Sequence, residues 1–589
     1  MMKLKDCMIT VRRTFQAIAV TLAVVFLSSC THAPAPAPSQ AKPAKAEAVP
    51  WWKHALIYEI YPRSFQDATG DGVGDINGII QRLDYLQHLG VNAVWLTPIY
   101  PSPLVDFGYD ISNYEAIDPL YGSMADFDHL IAAGKARHIR VIMDMVMNHT
   151  SDKSPWFQES RSSRTNPKRD WYIWRDGKAP GVPPNNWQSA FGHSAWTYDA
   201  TTKQWYYHKF YAAQPDLNWR NPEVQKAMFD ACRFWLERGV AGFRLDAIPE
   251  LFEDPQFRDA KVLPGKNIFG DPNLDSSSTE NLPEVHDVMR QLRQLVDSYP
   301  GDRVLIGETY LPNIQEQLQW YGKNNDELQL PMDMQVGFIN KLNAGLFRSK
   351  INDAETQLNG NMPLFVFDNH DNPRSWNRYG DGKHNAAIAR IIATMLLTTR
   401  ATAMMYYGQE IGMVTTPPKT KAEVQDPVGR TGWPKEKGRD GERTPMQWDS
   451  GKNAGFSTAA KTWLPIPPSY KTVNVQVETG QPDSLLNWYS KLIDLRKNNA
   501  ALHDGQNVMV DTSDANVLSY LRKNPGQGPS VLVAMNFTAR PQSVSYALQP
   551  DGIQGSHATA LLEDKGIAED VDLNHLVLPP FGVFIGQVQ

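Results

Sequence analysis

Cysteine is scarce in this chain of 589 residues: there are three, and Cys7 and Cys30 both lie in the first thirty residues. With that segment set aside, Cys232 has no partner for an intrachain disulfide. It lies in an apolar stretch, 224–236, that has helical periodicity. We therefore expect Cys232 to be a small buried side chain, and a disulfide framework is excluded.

An excess of positive charge is also missing. Lys and Arg number 58 and Asp and Glu 64, which gives a formal charge of −6 with no concentrated basic patch. This balance argues against a nucleic-acid partner. The remaining composition, 42% hydrophobic and 21% charged, is that of a globular protein large enough for more than one domain.

No apolar run near the start is long enough to span a bilayer. Residues 15–27 form a short one behind Arg12 and Arg13. The run ends in Leu-Ser-Ser-Cys, which resembles the lipobox of bacterial lipoproteins. That resemblance implies a lipid on Cys30, a membrane attachment through that lipid alone, and a location in the cell envelope. The alternative is a plain secretory signal in which Cys30 is incidental.

From Trp51 onward, strand-like and helix-like patterns alternate. Eight such units predict a (β/α)8 TIM barrel, although an open doubly wound sheet has the same alternation. The predicted strands are 55–61, 92–97, 140–146, 242–247, 304–307, 328–332, 364–367 and 401–407. The predicted helices are 76–89, 124–138, 224–236, 285–296, 338–347, 386–398 and 485–495.

The alternation is interrupted after the third strand and gives way to another pattern near the C-terminus. Residues 150–213 contain no long apolar run and predict a small inserted domain. Short alternating segments after 504 predict an all-β domain, with strands at 508–510, 517–521, 531–537, 544–548 and 582–588. The predicted divisions are a signal peptide (1–30), an Ala/Pro-rich linker (31–50), the barrel (51–149 and 214–503), the inserted domain (150–213) and the C-terminal domain (504–589).

The stretch 242–247, Gly-Phe-Arg-Leu-Asp-Ala, has the strongest chemical signal. Arg244 and Asp246 are two residues apart on a predicted strand, so their side chains project to the same side. A neighbouring guanidinium is expected to lower the pKa of Asp246 and keep it ionised, as a covalent nucleophile requires. The alternative is an ion pair with a purely structural role.

Other predicted strands also end in polar residues: Asp144 and His149 close the third, Glu308 the fifth, and His370 and Asp371 the seventh. In a TIM barrel these ends open on one face, which would bring Asp246, Glu308 and Asp371 together. Glu308 has no cation beside it in sequence, so we expect it to hold a proton. An ionised and a protonated carboxyl are the catalytic pair of a retaining glycosidase.

Four segments, 144–149, 242–246, 307–309 and 367–371, resemble in order the signature regions of glycoside hydrolase family 13. Segments 214–218, 408–413 and 442–448 further resemble its oligo-1,6-glucosidase and α-glucosidase branch. The resemblance covers 51–502. It implies Asp246 as nucleophile, Glu308 as acid/base and Asp371 as the third carboxylate. The substrate contacts that it implies are Tyr109, Asp110, His149, Arg244, His370 and Arg443.

A glycine-rich loop, 67–75, has the alternating oxygen donors of a Ca²⁺ site. Its predicted ligands are Asp67, Thr69, Asp71, Asp75 and the backbone carbonyl of Val73, and relatives in this branch often bind a structural Ca²⁺ there. The alternative is a polar turn whose aspartates cap the helix that begins near 76.

The leading hypothesis is therefore an enzyme that releases glucose from short oligosaccharides. Ala247 resembles the residue found in α-1,4-preferring members of the branch. The second hypothesis is a transglycosylase or sucrose isomerase that uses the same site, although 372–376 lacks the Arg/Asp-rich motif of sucrose isomerases. The third is a non-catalytic subunit like the transporter heavy chains, which have a membrane helix and lack the catalytic residues.

Overall fold

Eight parallel strands close into a barrel in the computed structural model, which describes residues 49–337, 339–510 and 513–589. The strands β1 to β8 are Leu56–Ile60, Ala93–Leu96, Arg140–Val146, Gly242–Asp246, Val304–Gly307, Leu330–Asp333, Leu364–Phe365 and Thr402–Tyr406. Strand β1 pairs in parallel with both β2 and β8, so the sheet has no free edge. The predicted TIM barrel is confirmed, and the open sheet is excluded.

Helices connect successive strands. They are Pro62–Phe65, Ile76–Gln81, Leu83–Leu89, Met124–Ala136, Pro222–Glu237, Glu284–Asp297, Ile314–Gln319, Met334–Gly337, Ala344–Gln357, Ser375–Tyr379, Asn385–Thr398, Pro427–Gly432, Val475–Thr479, Leu485–Asn498 and Ala500–Asp504. Cys232 is buried in the fifth of these and is a free thiol, as expected. Among the described residues, no helix has both the length and the apolar character needed to cross a membrane.

Several predicted elements differ in their bounds, for example the helix predicted at 76–89, which is two helices, and two others differ more. The helix predicted at 338–347 begins at Ala344 and continues to Gln357, because the Asn343 side chain caps it by accepting from the Leu346 N–H. The strand predicted at 544–548 is Gln542–Val544. Tyr546 and Leu548 are buried as the alternation requires, but they lie outside the strand.

The connection from β3 to β4 contains the helix Pro155–Ser162 and a three-stranded sheet formed by Trp174–Arg175, Trp196–Asp199 and Gln204–Tyr207. The connection that follows β4 contains a hairpin of Val262–Lys266 and Pro272–Leu274. Both connections leave the barrel at the carboxyl ends of strands, where they surround its mouth.

The C-terminal region is all-β, as predicted. A six-stranded sheet contains Gln506–Val510, Val517–Lys523, Val531–Asn536, His557–Glu563, Asp570–Asp572 and Val583–Val588. Gln542–Val544 pairs with Leu576–Leu578 in a second sheet. The strand His557–Glu563 was missed because its Ala- and Leu-rich sequence has no strand propensity of its own and is stabilised by its partners.

Candidate active site

Polar residues of the site lie on the inward-facing side of the barrel strands, two positions after buried apolar residues. Residues two apart on a strand share a face, so Glu59 follows Ile57, Asp144 follows Ile142, and Glu308 follows Ile306. The three isoleucines are fully buried in one apolar cluster at the lower part of the strands. The row therefore changes from apolar to charged at the carboxyl ends, where an active site of this fold lies.

Arg244 is at the centre of the charged layer and is 1% exposed. Its Nη1 lies 2.5 Å from Asp246 Oδ1 and 3.1 Å from Asp144 Oδ2, and its Nη2 lies 2.6 Å from Glu308 Oε1. Asp144 reaches it because the register of β3 and β4 places the two residues side by side. One guanidinium thus joins three carboxyl groups from three strands.

Burial of this cluster changes the expected pKa of Asp246. Burial raises the pKa of Asp246 to about 7, although Arg244 opposes the shift. Burial also raises the pKa of Glu308 to about 7, again against Arg244 and with Asp246 adding to the rise. Arg244 thus lowers the pKa of Asp246 as predicted, but burial outweighs it, so the predicted net fall in this pKa does not occur.

Glu308 is held beside the end of β4 by a backbone contact. The Ala247 N–H donates to Glu308 Oε2 at 3.0 Å. Ala247 leaves the strand in the left-handed region, with φ of +48°. Glu308 therefore has one oxygen on Arg244 and the other on the residue that follows Asp246.

His370 is fixed on both ring nitrogens. Its Nδ1 lies 2.7 Å from Glu59 Oε1, and its Nε2 lies 2.7 Å from the Tyr109 hydroxyl. The Tyr109 ring stacks on the imidazole, with planes 5° apart, and its hydroxyl donates to Asp144. Burial lowers the pKa of His370 well below its usual value, so the ring is neutral. Sequence reasoning missed Glu59, although a carboxylate inside the apolar strand Leu-Ile-Tyr-Glu-Ile was a visible signal.

Asp371 has two cationic partners. Its Oδ1 accepts from Arg439 at 3.0 Å and from Arg443 at 2.7 Å. Burial opposes its ionisation, but the charges of Arg439 and Arg443 outweigh burial and hold the pKa of Asp371 below the usual range. Asp371 is therefore the firmly ionised carboxylate of the site. Arg443 lies behind it, fully buried, where it also donates to the His370 carbonyl.

Asp110 does not line the cavity in this structure, and its contact with substrate stays a prediction. Its carboxylate is completely buried and accepts from the Val105 and Asp106 N–H groups and from Ser102. Asp110 thus shapes the loop and does not reach the cavity. Asp106 takes that place: it lines the cavity and pairs with Arg439 at 2.6 Å. Sequence reasoning missed both partners.

His149 lines the cavity beside Tyr109. Its Nε2 lies 3.2 Å from the Tyr109 carbonyl and 3.1 Å from the Gln214 amide nitrogen. Burial lowers its pKa to about 3, so the imidazole is uncharged at neutral pH.

These side chains surround a cavity of about 460 Å³, which is within the range typical of small-molecule sites. Tyr109, His149, Asp246, Glu308 and Asp371 line it directly, whereas Arg244, His370 and Arg443 support that lining from behind. The two connections around the mouth add Phe191, Phe210, Pro249 and Glu250. The long insertion after β8 adds Val428, Glu436, Gly438, Arg439 and Glu442.

The predicted calcium loop is closed by its own hydrogen bonds. Asp67 accepts from the N–H groups of Gly70 and Gly72 and from the hydroxyls of Thr69 and Ser457. These four donors occupy both oxygens of the carboxylate, which is the ligand that a Ca²⁺ ion would need most.

The other loop residues do not converge either. Asp75 caps the helix Ile76–Gln81 by accepting from Gly78, as the capping alternative predicts, and Asp71 accepts from the Val73 N–H. In this arrangement the loop residues do not fit a Ca²⁺ ion, and calcium binding stays a prediction from sequence. Cys30 lies outside the described residues.

Known proteins share both the sequence and the fold. The family model for the alpha amylase catalytic domain matches residues 59–505. A probable α-glucosidase of Rhizobium meliloti is 38% identical over 551 residues, covering 91% of this chain and 97% of the relative. An oligo-1,6-glucosidase of Halalkalibacterium halodurans is 39% identical over 570 residues, with coverages of 91% and 99%. The crystal structure of the trehalulose synthase MutB from Pseudomonas mesoacidophila is similar at a TM-score of 0.84 and 34% identity, covering 92% of this chain and 100% of that one.

A closed barrel with carboxyl groups gathered at its mouth defines the class, a barrel-type glycoside hydrolase. The chain belongs to the α-amylase family, glycoside hydrolase family 13. Within that family it falls in the branch of α-glucosidases and oligo-1,6-glucosidases.

Proposed function

We propose that this hydrolase is a retaining, exo-acting α-glucosidase that removes glucose from the non-reducing ends of short α-glucosides. The observation that carries this proposal is the pairing of Asp246 and Glu308 with the two terminal nitrogens of Arg244. A shared guanidinium favours the shorter carboxyl separation of retaining enzymes, about 5–5.5 Å, over the 6.5–9.5 Å of inverting ones.

In the proposed reaction, Asp246 attacks the anomeric carbon while Glu308 protonates the oxygen of the leaving group. The resulting glycosyl-enzyme ester is then hydrolysed by a water molecule whose proton returns to Glu308. Asp371, the firmly ionised carboxylate, grips hydroxyls of the glucosyl ring and stabilises its developing positive charge. The neutral His149 and His370 orient the ring without adding charge.

A closed end to the cavity supports exo action. Arg439 connects Asp371 to Asp106, and it also pairs with Asp426 at 2.9 Å. This wall of ion pairs stands beyond the position of the reacting sugar, so a chain end enters and a longer chain does not pass through.

The small side chain of Ala247 supports a preference for α-1,4 bonds. It directly follows the proposed nucleophile and lines the cavity, close to where the leaving sugar must bind. An α-1,4 bond attaches that sugar through a ring carbon and needs this space. A difference of one or two methyl groups is worth about 1–3 kcal/mol, so the preference is partial.

Two measurements test the proposal. NMR of the first-formed glucose from maltose should show the α-anomer; initial β-glucose would rule out double displacement. Maltose should also give a higher kcat/KM than isomaltose, and the reverse order would remove the linkage assignment.

Transfer to a sugar acceptor, including sucrose isomerisation, is the second candidate. The likeness to a trehalulose synthase at a TM-score of 0.84 favours it. Product analysis with sucrose separates the two functions: glucose and fructose indicate hydrolysis, whereas isomers of sucrose indicate transfer within the site.

We also propose that the chain is held at the cell envelope by a lipid on Cys30. The support is the Leu-Ser-Ser-Cys sequence at 27–30 and the Ala/Pro-rich stretch behind it.

A further inference from the structure

Two histidines and an aspartate meet at the end of the barrel that is opposite the catalytic cavity. His54 lies two residues before β1 and so at the amino end of that strand, whereas the cavity opens at the carboxyl ends. His503 and Asp504 end the short helix Ala500–Asp504, which leads into the C-terminal region. The three residues thus connect the two ends of the chain segment that forms the barrel, and the proposed reaction uses none of them.

The donor atoms of these side chains are close enough to share one ion. His54 Nε2 lies 3.0 Å from Asp504 Oδ1, and His503 Nδ1 lies 2.9 Å from Asp504 Oδ2. One donor atom from each of the three residues lies within 4.8 Å of the other two. A tetrahedral ion with bonds of about 2.1 Å holds its ligands about 3.4 Å apart, so side-chain movements of about 1 Å would enclose an ion.

The two imidazole rings are already stacked on each other. Their centroids are 3.9 Å apart and their planes differ by 27°. The Asp504 carboxylate contacts a nitrogen of each ring and so holds both rings on one side of the cluster. The side chains of His54, His503 and Asp504 are 16%, 36% and 45% exposed, which gives an ion access from solvent and leaves space for a water ligand.

The backbone on both sides of the cluster is fixed by neighbouring elements. The Thr402 hydroxyl on β8 donates to the carbonyl of Lys53, the residue before the first histidine, at 3.2 Å. Arg522 is fully buried and donates to the carbonyl of Gly505, directly after the helix, at 2.8 Å. This support matters because a metal site requires ligands that are held in position before the ion binds.

The donor set indicates the kind of ion. Imidazole nitrogens favour Zn²⁺ and similar first-row transition metals, whereas Ca²⁺ and Mg²⁺ prefer sites made of oxygen. Lys53 and Arg496 are close enough for their charges to act on His54, and they oppose a cation here. We therefore expect reversible binding, so that protein prepared without added metal is free of the ion.

We propose that His54, His503 and Asp504 form a site for one divalent transition-metal ion of the Zn²⁺ type. Three protein ligands leave the fourth tetrahedral position to water. The bound ion ties the start of the barrel to the helix that leads into the C-terminal region, and so stabilises the fold. The site is independent of the proposed α-glucosidase activity.

Isothermal titration with Zn²⁺ tests the proposal on the natural chain, produced without a polyhistidine tag. One ion should bind per chain. His54→Gln and His503→Gln should each weaken this binding at least about tenfold, since loss of even an indirect partner of a metal costs about 10–100-fold in affinity. His193→Gln is the matched control: this exposed histidine also pairs with an aspartate, Asp271, at 3.3 Å, and its loss should leave Zn²⁺ binding unchanged.

Two further measurements separate a built site from loss of the fold. Zn²⁺ at one hundred times its Kd should raise the melting temperature of the natural chain by about 2 °C, whereas Mg²⁺ should not raise it. Circular dichroism without metal should show the natural fold in both variants; His503 is 36% exposed, so its replacement still tests the site if His54→Gln unfolds.

Three results would overturn the proposal. They are an absence of Zn²⁺ binding to the natural chain, binding that a folded His503→Gln variant leaves unchanged, and an equal loss of binding in His193→Gln, which would indicate diffuse binding at the surface. None of them bears on the proposed function, because glucose release from maltose is measured without added metal.

Discussion

The Ala247 N–H donates to Glu308 Oε2 at 3.0 Å, so the residue that follows the proposed nucleophile also positions the proposed acid. Ala247 adopts the left-handed backbone conformation, with φ of +48°. Its side chain meets the leaving group while its backbone holds Glu308. Linkage preference and acid placement therefore depend on the same residue.

Ala247→Val is expected to shift the ratio of kcat/KM for isomaltose over maltose upward by about tenfold, since one or two methyl groups are worth about 1–3 kcal/mol. It should also lower the melting temperature, because a β-branched residue at positive φ is strained. Steady-state kinetics on both disaccharides and a thermal melt measure the two effects.

Ala247→Gly is the control for strain. Glycine adopts positive φ without cost, so this variant should melt at or above the natural temperature and keep the preference for maltose. A variant with Val that prefers maltose as strongly as the natural protein would contradict the linkage assignment.

Asp246→Asn should reduce kcat by about 10⁴-fold or more, as the loss of a nucleophile does elsewhere. It should also raise stability at pH 8. The unfolded carboxyl ionises near pH 4 and the folded one near pH 7, so stability falls as pH rises between these values. Removal of the charge should raise the melting temperature by about 1–3 °C at pH 8 and leave it unchanged at pH 4. Equal shifts at both pH values would show that the buried charge is not the cause.

The pH dependence of kcat/KM should be a narrow bell centred near neutrality. The active form has Asp246 ionised and Glu308 protonated, and the pKa of each is raised to about 7. Protonation of the pair removes the nucleophile on the acid side, and loss of the last proton removes the acid on the basic side. Glu308→Gln, assayed on an activated aryl glucoside that needs no proton, should lose only the basic limb. A flat profile between pH 5 and 9 is incompatible with this assignment.

Much of this site could be predicted from the sequence, because the residues at which a strand ends are recognised from the local pattern. Glu308 directly follows a short apolar strand, Asp371 lies in the loop after another, and Arg244 and Asp246 share a strand face by spacing alone. The closed barrel then brings such ends together whatever the loops contain.

What sequence reasoning missed depends on contacts between distant segments. Asp106 was missed, because which of two nearby aspartates faces the cavity is decided by loop N–H groups and by Arg439, more than three hundred residues away. The charge of Asp246 was also misjudged. Burial outweighs the effect of its neighbour in sequence, Arg244, and the burial follows from the closed barrel and the register of its strands rather than from the local sequence.

A chelator should leave the melting temperature unchanged. In the loop 67–75 the carboxylate of Asp67 is fully used by four donors of the protein, which stabilise the turn without an ion. Asp67→Ala should therefore lower the melting temperature equally with and without added Ca²⁺. A fall on chelation, reversed by Ca²⁺ but not by Mg²⁺, would restore the calcium site predicted from sequence.

Metabolic labelling with a fatty acid should tag the natural chain and not Cys30→Ser. Cys232→Ser is the matched control and should keep the label, because that thiol is buried in a helix. Absence of label from the natural chain would leave an ordinary secreted enzyme.

The wall formed by Asp106, Arg439 and Asp371 has a consequence for engineering. Asp371 belongs to the barrel and lies after β7, whereas Arg439 belongs to the insertion after β8. The catalytic pair, by contrast, lies at the ends of β4 and β5. Replacing the segment around Arg439 alone would change this wall while leaving Asp246 and Glu308 in place, and Asp371 would keep Arg443 as its cation, so the length of the bound chain can be adjusted with limited change to the catalytic pair.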